Sequence, residues 1–364
     1  MRPLVDMHFY PPRTNIQLLA GATLFLALSV ITSDVAFIDL DLPEYWVTLS
    51  PTNVHPYRQF LLDNAFFNIL GYGLTAALGG GHAISVGMFK TTMTLITFAC
   101  FATLVLGSLS AYGPERAGVF LACISLTTLD YTLLHWIGKT DPLLVMAYCI
   151  VFFGRTKPIA SAIGFFLIAG FHLEQALIIG LIHIIMLQFE RSISFNTLCG
   201  IATGIAAAAC IFFWYKSTIS VGARMDRAEF ARIALLQSLA YFVGNWYIAV
   251  VTVMFGAWWL VIREIADSWR GFFYLSAATG LATLASAATL DYSRVATLLA
   301  MPISFYLAKE AASRWKPGME LGFTPAAACL MVALLGIEIR SGVLTAFGPP
   351  FRDWFRLLRS GLLG

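Results

Sequence analysis

Three short polar clusters interrupt the long apolar runs of the sequence. They read Gly138-Lys139-Thr140-Asp141-Pro142, Phe171-His172-Leu173-Glu174-Gln175 and Asp291-Tyr292-Ser293-Arg294. An ionisable side chain inside a membrane costs about 2.5–3.5 kcal/mol on insertion scales, so it persists where it is paired or functional. We therefore expect the clusters to line one site, with substrate-binding side chains at Lys139, Asp141, His172, Glu174, Gln175, Asp291 and Arg294.

The charges in these clusters suit a phosphorylated substrate. Arg294 and Lys139 suit a phosphate or pyrophosphate group, because a guanidinium can donate to two phosphate oxygens at once. His172 and Glu174 suit the orientation of a sugar or the transfer of a proton.

Each cluster also has a purely structural interpretation, and the sequence leaves both kinds open. Lys139 and Asp141 could pair with each other. His172 and Glu174 could form a buried, hydrogen-bonded junction between two helices. Asp291 could cap the helix that follows it.

A longer polar stretch, residues 34–59, offers candidates for a general base. It contains the carboxylates Asp34, Asp39 and Asp41, and it also contains Arg58, which we add to the substrate-binding set. A carboxylate here suits deprotonation of a hydroxyl acceptor or ligation of a metal. No cofactor is certain, although a divalent cation is compatible with these acids. The cysteine and histidine spacings do not indicate a zinc site, and no glycine-rich loop ends in the lysine that ATP binding needs.

Composition identifies the solvent in which these clusters lie. The chain has 364 residues, of which 59% are hydrophobic and 12% charged, and its mean hydropathy is +0.78. Soluble domains carry about 25% charged residues. Lipid must therefore cover much of the surface. The net charge is only +3 and no basic run is present, so we expect no nucleic-acid partner.

Long apolar runs predict an all-α, polytopic integral membrane protein with about 10–11 transmembrane helices. The predicted spans are 16–31, 85–110, 117–137, 142–154, 158–171, 173–189, 196–215, 233–262, 271–290, 295–308 and 322–339. They form a single transmembrane domain over residues 1–364. Residues 33–81 are predicted to be an external loop with an interfacial or re-entrant helix, and residues 348–364 an amphipathic segment. The runs 158–171 and 173–189 could instead be one broken helix, which would invert everything that follows.

Loop charges predict the orientation. Lys or Arg occurs in every connection of one side, at 115–116, 155–157, 190–191, 263–270 and 309–316. The positive-inside rule makes that side, and the amino terminus, cytoplasmic. The acidic loop 34–59 and the three polar clusters then face the outside. Loop 216–232 and segment 350–359 depart from this pattern, because both carry several arginines.

This layout resembles the GT-C class of membrane glycosyltransferases, which use sugars linked to lipid phosphates. The shared features are a first span, a long acidic external loop with interfacial helices, and many spans with short loops. The resemblance covers most of the chain but has no specific motif. The Asp-Glu dipeptide common in the class is replaced by Asp39-Leu40-Asp41, and the large soluble external domain of many members is absent. Polysaccharide polymerases of the Wzy and EpsG kind are a related possibility.

The resemblance implies a mechanism. Asp39 or Asp41, with Asp34 next, would be the catalytic base, and Lys139 and Arg294 would bind the lipid phosphate. The donor would be a polyprenyl-phosphate-linked sugar and the acceptor a glycan or a lipid. The protein would lie in the inner membrane of a bacterium, with its site on the periplasmic face.

Two other classes of function remain open from the sequence. Short helices broken by ionisable residues are also typical of secondary transporters, so a transporter or a lipid-linked glycan flippase is the main alternative. A structural or assembly subunit, in which the charges only pair between helices, is the third possibility.

Overall fold

The structure of the protein is a computed structural model, which describes part of the chain. The described residues are 86–125, 127, 129, 132–133, 140–155, 157–218, 235–236, 239–240, 242–243, 258–287, 292–314, 337–340 and 343–346. The predicted first span, the external loop 33–81 and the carboxy-terminal amphipathic segment lie outside them.

The described chain is helical apart from one hairpin. The helices are α1 (Val86–Tyr112), α2 (Pro114–Ser125), α3 (Asp141–Phe153), α4 (Pro158–Phe171), α5 (Leu173–Glu190), α6 (Phe195–Thr218), α7 (Trp258–Asp267), α8 (Trp269–Ser286), α9 (Tyr292–Leu299) and α10 (Met301–Arg314). The hairpin strands β1 (Ile337–Arg340) and β2 (Val343–Ala346) are antiparallel, and Ile337 pairs with Ala346. The predicted span 322–339 is therefore wrong at residues 337–339, where the chain is a strand.

Three helices are long and apolar enough to cross a membrane, over Thr91–Tyr112, Leu173–Glu190 and Phe195–Trp214. The apolar helices α3 and α4 have only 13 and 14 residues. At 1.5 Å per residue they reach about 20 Å, whereas the hydrocarbon core is about 30 Å thick. The described chain therefore has three candidate crossings, and the larger number expected from the sequence stays a prediction.

The predicted span 117–137 is interrupted after Ser125, where α2 ends, although Leu129, Thr132 and Leu133 are again helical. The hydroxyl of Thr127 donates to the carbonyl oxygen of Ile124 at 2.6 Å and accepts from the backbone N–H of Leu129 at 3.3 Å. A threonine hydroxyl that bonds to nearby backbone groups competes with the helical hydrogen bonds. The helix stops where this local arrangement replaces them.

The chain reverses direction at His172, between α4 and α5. His172 has extended backbone angles, φ −152° and ψ 96°. Phe165 of α4 packs against α5. Its ring lies 5.9 Å from the ring of His183, and a Cβ atom on Gly180 would lie 3.3 Å from it. Residues seven before and eight after the turn can touch only if the helices fold back on each other. The runs 158–171 and 173–189 are therefore two helices, and the broken-helix alternative is wrong.

Two glycines bring α6 against α4. A Cβ atom on Gly200 would lie 2.5 Å from the carbonyl oxygen of Pro158, and one on Gly204 would overlap the carbonyl oxygen of Ala162. From the first contact to the second, the residue number rises by four on both helices, so α4 and α6 run parallel. Small residues four apart allow this close approach of helix backbones in membrane proteins.

Aromatic rings fill the centre of the bundle where α2, α3 and α10 meet. Phe305 of α10 lies 5.7 Å from Phe120, 5.2 Å from Tyr148 and 5.1 Å from Phe152, measured between ring centroids. All four rings are buried. Edge-to-face contacts of this kind add to the gain from burial, and they fix α3 against α10 below the polar end of the bundle.

Helices α9 and α10 together cover the predicted span 295–308, but a break separates them at Ala300. Pro302, in the first turn of α10, has no N–H to donate to the preceding turn. The backbone N–H groups of Ile303 and Ser304 both donate to Ala300, at 2.9 and 3.0 Å. α9 is thus a separate eight-residue segment at the end of a longer helix.

Candidate functional site

Two of the three predicted clusters meet through one ion pair. The Nε of Arg294 donates to Oδ2 of Asp141 at 2.6 Å, and Nη2 donates to Oδ1 at 2.8 Å. The carboxylate side chain is fully buried, and that of Arg294 is 14% exposed. The contact joins positions 153 residues apart. The structure thus brings these two predicted site residues into contact, and their role in substrate binding stays a prediction.

Helix ends position both members of the pair. Asp141 lies in the first turn of α3, directly after the buried Thr140, with Pro142 beside it. Proline is well suited to the first turn, where no N–H is needed. Arg294 lies in the first turn of α9. The α3 amino terminus favours a negative charge, so the helix and the guanidinium both stabilise the Asp141 carboxylate.

His172 lies at the same end of the bundle, because α4 ends and α5 begins there. Its backbone N–H donates to Ile168 at 2.8 Å, and its carbonyl oxygen accepts from Ala176 at 2.9 Å. The His172 side chain is buried, whereas Glu174 is exposed. The two do not share one environment. His172 fits the helix-junction interpretation, and Glu174 is placed at the surface of the same end.

Gln175 is half-buried in the first turn of α5. Its Oε1 atom is buried and accepts no hydrogen bond from the residues that the structure describes. The remaining predicted site residues lie outside the described ranges. They are Asp34, Asp39, Asp41, Arg58, Lys139 and Asp291. Their roles stay predictions, and the described residues contain no group of three or more His, Cys, Asp or Glu side chains that could hold a metal ion.

A second charged cluster lies at the opposite end of the bundle. Lys309 pairs with Glu190 at 2.6 Å, with both side chains largely buried. Arg314 pairs with Glu264 at 2.8 Å and with Glu310 at 2.9 Å. Four of the basic connections that were predicted to share one side lie at this end. They are 155–157 before α4, 190–191 at the end of α5, 263–270 between α7 and α8, and 309–316 at the end of α10. The two ends are therefore distinct in chemistry.

Burial governs the carboxyl group of Glu264. Removal of this carboxyl group from water raises the pKa of Glu264. The neighbouring Arg314 guanidinium opposes the rise, and the Glu310 carboxylate adds to it. Burial lowers the pKa of Arg314, but the carboxylates of Glu264 and Glu310 outweigh this effect, so the pKa of Arg314 is raised overall. This end is a mutually satisfied ion-pair network, whereas the Asp141 end holds the bidentate Asp141–Arg294 pair.

His183 lies in the core, and its hydrogen-bond partner is Tyr148. The Tyr148 hydroxyl lies 3.0 Å from Nδ1 of His183, and both side chains are buried. Tyr148 lies seven residues after Asp141, which is two turns further along the same face of α3. That spacing was visible in the sequence, but nothing in it indicated which helix would supply the partner.

An apolar cavity of about 480 Å³ lies between α7 and α8. Its lining includes Trp258 and Val261 of α7 and Leu275 and Leu284 of α8. A Cβ atom on Gly280, which also lines the cavity, would meet nothing within 4 Å. The cavity therefore has room for a larger apolar group beside α8.

Comparison of the chain with known protein families, with curated proteins and with solved structures found no match.

Proposed function

We propose that the protein is a membrane glycosyltransferase whose donor is a sugar linked to a polyprenyl phosphate, and that Arg294 binds the donor phosphate. The observation that carries the proposal is the buried, bidentate contact of Arg294 with Asp141. It supports an anion-binding guanidinium at one end of an apolar helical bundle.

The geometry of the guanidinium is suited to a phosphate. Arg294 presents Nε and Nη2 as parallel donors, separated so that two oxygens of one group accept them. The same fork matches a carboxylate and a phosphate. Most of the Arg294 side chain is buried. A buried guanidinium interacts more strongly with an anion than an exposed one, because less water screens the charge.

A lipid-linked donor also needs a surface for its hydrocarbon chain. The cavity between α7 and α8 is apolar and has the volume of a typical ligand pocket. α8 connects to α9, so Leu284 and Arg294 lie near the two ends of one short connection. This arrangement supports a donor whose phosphate lies at the polar end and whose chain follows α8.

The proposed chemistry assigns the other groups as follows. Lys139 would hold the phosphate together with Arg294 and stabilise the leaving group. Asp39 or Asp41, with Asp34 next, would deprotonate the acceptor hydroxyl, and Arg58, His172, Glu174, Gln175 and Asp291 would contact the sugar or the acceptor. A divalent cation is compatible with these acids.

The proposed location is a bacterial inner membrane with the polar end outside. Glu174 lies in the first turn of α5 and Ser192 directly after its last turn, and both are exposed. In a chain without native cysteines, an impermeant thiol reagent added to intact cells should label Glu174→Cys but not Ser192→Cys. Labelling of Ser192→Cys alone would reverse the proposed orientation.

Binding to purified full-length protein tests the anion site. We expect wild type to bind farnesyl phosphate at least about tenfold more tightly than farnesol, since a hydrogen bond to a charged group contributes about 1.5–3 kcal/mol. Arg294→Gln should abolish this preference, and Arg294→Lys should restore only part of it because lysine lacks the fork. Arg314→Gln, at the opposite end, is the matched control and should retain the preference. Equal binding of the two lipids by wild type would reject the proposal.

A secondary transporter or lipid-linked glycan flippase is the second candidate. The observation that favours it is the one-residue break at His172, where extended backbone separates two apolar helices near the ion pair. Transporters build substrate sites from such interrupted helices. Uptake of a substrate into proteoliposomes without any transferase product would favour this candidate.

A further inference from the structure

The two donors of Arg294 that suit a phosphate are already engaged by a carboxylate. We propose that Asp141 is an autoinhibitory counter-ion: it holds Arg294 in the resting protein, and the donor phosphate takes over the same Nε and Nη2 atoms when it binds. This inference rests on the proposed function, and it assigns to the site a resting state from which binding must start.

The contact with Asp141 excludes a phosphate from the Nε and Nη2 edge of Arg294. The two Asp141 oxygens lie 2.6 and 2.8 Å from Nε and Nη2. These distances are already those of strong charge-assisted hydrogen bonds. A phosphate oxygen cannot enter between the atoms of such a bond. Binding along this edge of the guanidinium therefore requires that one member of the pair withdraws.

Arg294 is the member that can move. Asp141 is fully buried and belongs to the first turn of α3, next to the buried Pro142. Arg294 has a long side chain, retains 14% exposure, and belongs to the eight-residue helix α9. The fully buried Asp141 thus stays in place while the longer, partly exposed Arg294 side chain exchanges.

The backbone of α9 stays in place during this exchange. Val295, Ala296, Leu298 and Leu299 of α9 are buried in the core, each at most 7% exposed. The Arg294 side chain lies at the start of α9 and is partly exposed, so a change of its rotamer releases Asp141 and leaves the bundle unchanged.

The Asp141 carboxylate keeps a stabilising interaction when the Arg294 side chain moves away. Its carboxylate sits in the first turn of α3, where the unpaired backbone N–H groups of the helix terminus carry partial positive charge. This stabilisation replaces part of what the guanidinium supplied. It makes exchange with an anionic phosphate favourable where exchange with a neutral lipid is not.

Removal of the competitor gives a test whose expected result is a gain. Asp141→Asn retains the size of the side chain and removes its charge. Binding of farnesyl phosphate and farnesol would be measured on full-length wild type, Asp141→Asn and Asp141→Asn/Arg294→Gln. We expect Asp141→Asn to bind farnesyl phosphate at least about tenfold more tightly than wild type, because the binding-competent state is no longer a minority. Farnesol affinity should not change, and the double variant should lose the gain.

The outcomes separate this inference from the proposed function. If wild type prefers farnesyl phosphate over farnesol but Asp141→Asn binds it equally or less tightly, Asp141 positions Arg294 and does not compete for it. If wild type shows no preference, the proposed function fails and the inference fails with it. Nuclear magnetic resonance of wild type covers the case in which Asp141→Asn does not fold. The Nε–H resonance that is lost in Arg294→Lys should shift when farnesyl phosphate is added and should not shift with farnesol, because the phosphate replaces Asp141 at Nε. An unshifted resonance in a sample that binds farnesyl phosphate would overturn the inference.

Discussion

Breaking the Asp141–Arg294 pair should destabilise the fold by an amount that depends on which partner is removed. Loss of one member of a buried ion pair costs about 3–5 kcal/mol, because the other charge is left without compensation. Arg294→Gln leaves a fully buried carboxylate, so we expect a cost near the upper end. Asp141→Asn leaves a guanidinium that is 14% exposed and can reach water, so we expect about 3 kcal/mol. The α3 amino terminus reduces the difference by about 0.3–1 kcal/mol.

Equilibrium unfolding in mixed micelles, followed by far-ultraviolet circular dichroism, measures these costs. The double variant Asp141→Asn/Arg294→Gln should be more stable than the sum of the single variants predicts, by about 2–3 kcal/mol, because it leaves no buried charge. Farnesyl phosphate should restore part of the stability of Asp141→Asn, by about 2.7 kcal/mol at a concentration of 100 times its dissociation constant. Additive single-variant costs, with a coupling below about 0.5 kcal/mol, would refute the reasoning that the contact is a buried and energetically coupled pair.

Three further predictions concern parts of the fold away from the site. Gly204→Ala should lower the free energy of unfolding by at least about 1–3 kcal/mol, because the new methyl group would overlap backbone on α4, whereas Gly280→Ala meets open space and should be neutral or stabilising. Arg191→Gly, at the left-handed residue that ends α5 (φ 56°), should stabilise the protein by about 0.5–1 kcal/mol in the same unfolding assay; a loss of stability would show that its side chain matters more than its backbone. Glu264 has a raised pKa, so the folded state binds its proton more tightly than the unfolded state, and stability should fall as pH rises through the folded pKa. Glu264→Gln should flatten that decline in a pH series of unfolding midpoints, and an unchanged slope would contradict it.

Helix boundaries in the middle of the chain could be predicted because composition marks them. Proline begins α4, and charged residues end α5 and α10. Spans 142–154, 158–171, 173–189 and 196–215 agree with α3 to α6 within three residues at every end. The interruption of the predicted span 117–137 after Ser125 came from hydrogen bonding rather than hydropathy. Thr127 is compatible with an apolar run, but its hydroxyl satisfies the local backbone and ends α2 early.

Long-range partners could not be predicted in the same way. For Asp141 the sequence offered a local partner, Lys139, which lies two residues before it. The observed contact spans 153 residues and depends on how α9 packs against the bundle. The pairing of Tyr148 with His183 has the same origin. Polar clusters thus mark which end of a bundle carries a site, while tertiary packing decides which charges meet there.

Photocrosslinking tests the central claim, that a lipid phosphate binds at the Asp141–Arg294 end, most directly. A farnesyl phosphate analogue with a photoreactive group near its phosphate would be bound to full-length protein, irradiated, and mapped by peptide mass spectrometry. We expect adducts in the first turns of α3 and α9, increased by Asp141→Asn and competed by farnesyl phosphate but not by farnesol. Adducts concentrated at the opposite end, around Lys309 and Arg314, would contradict the account.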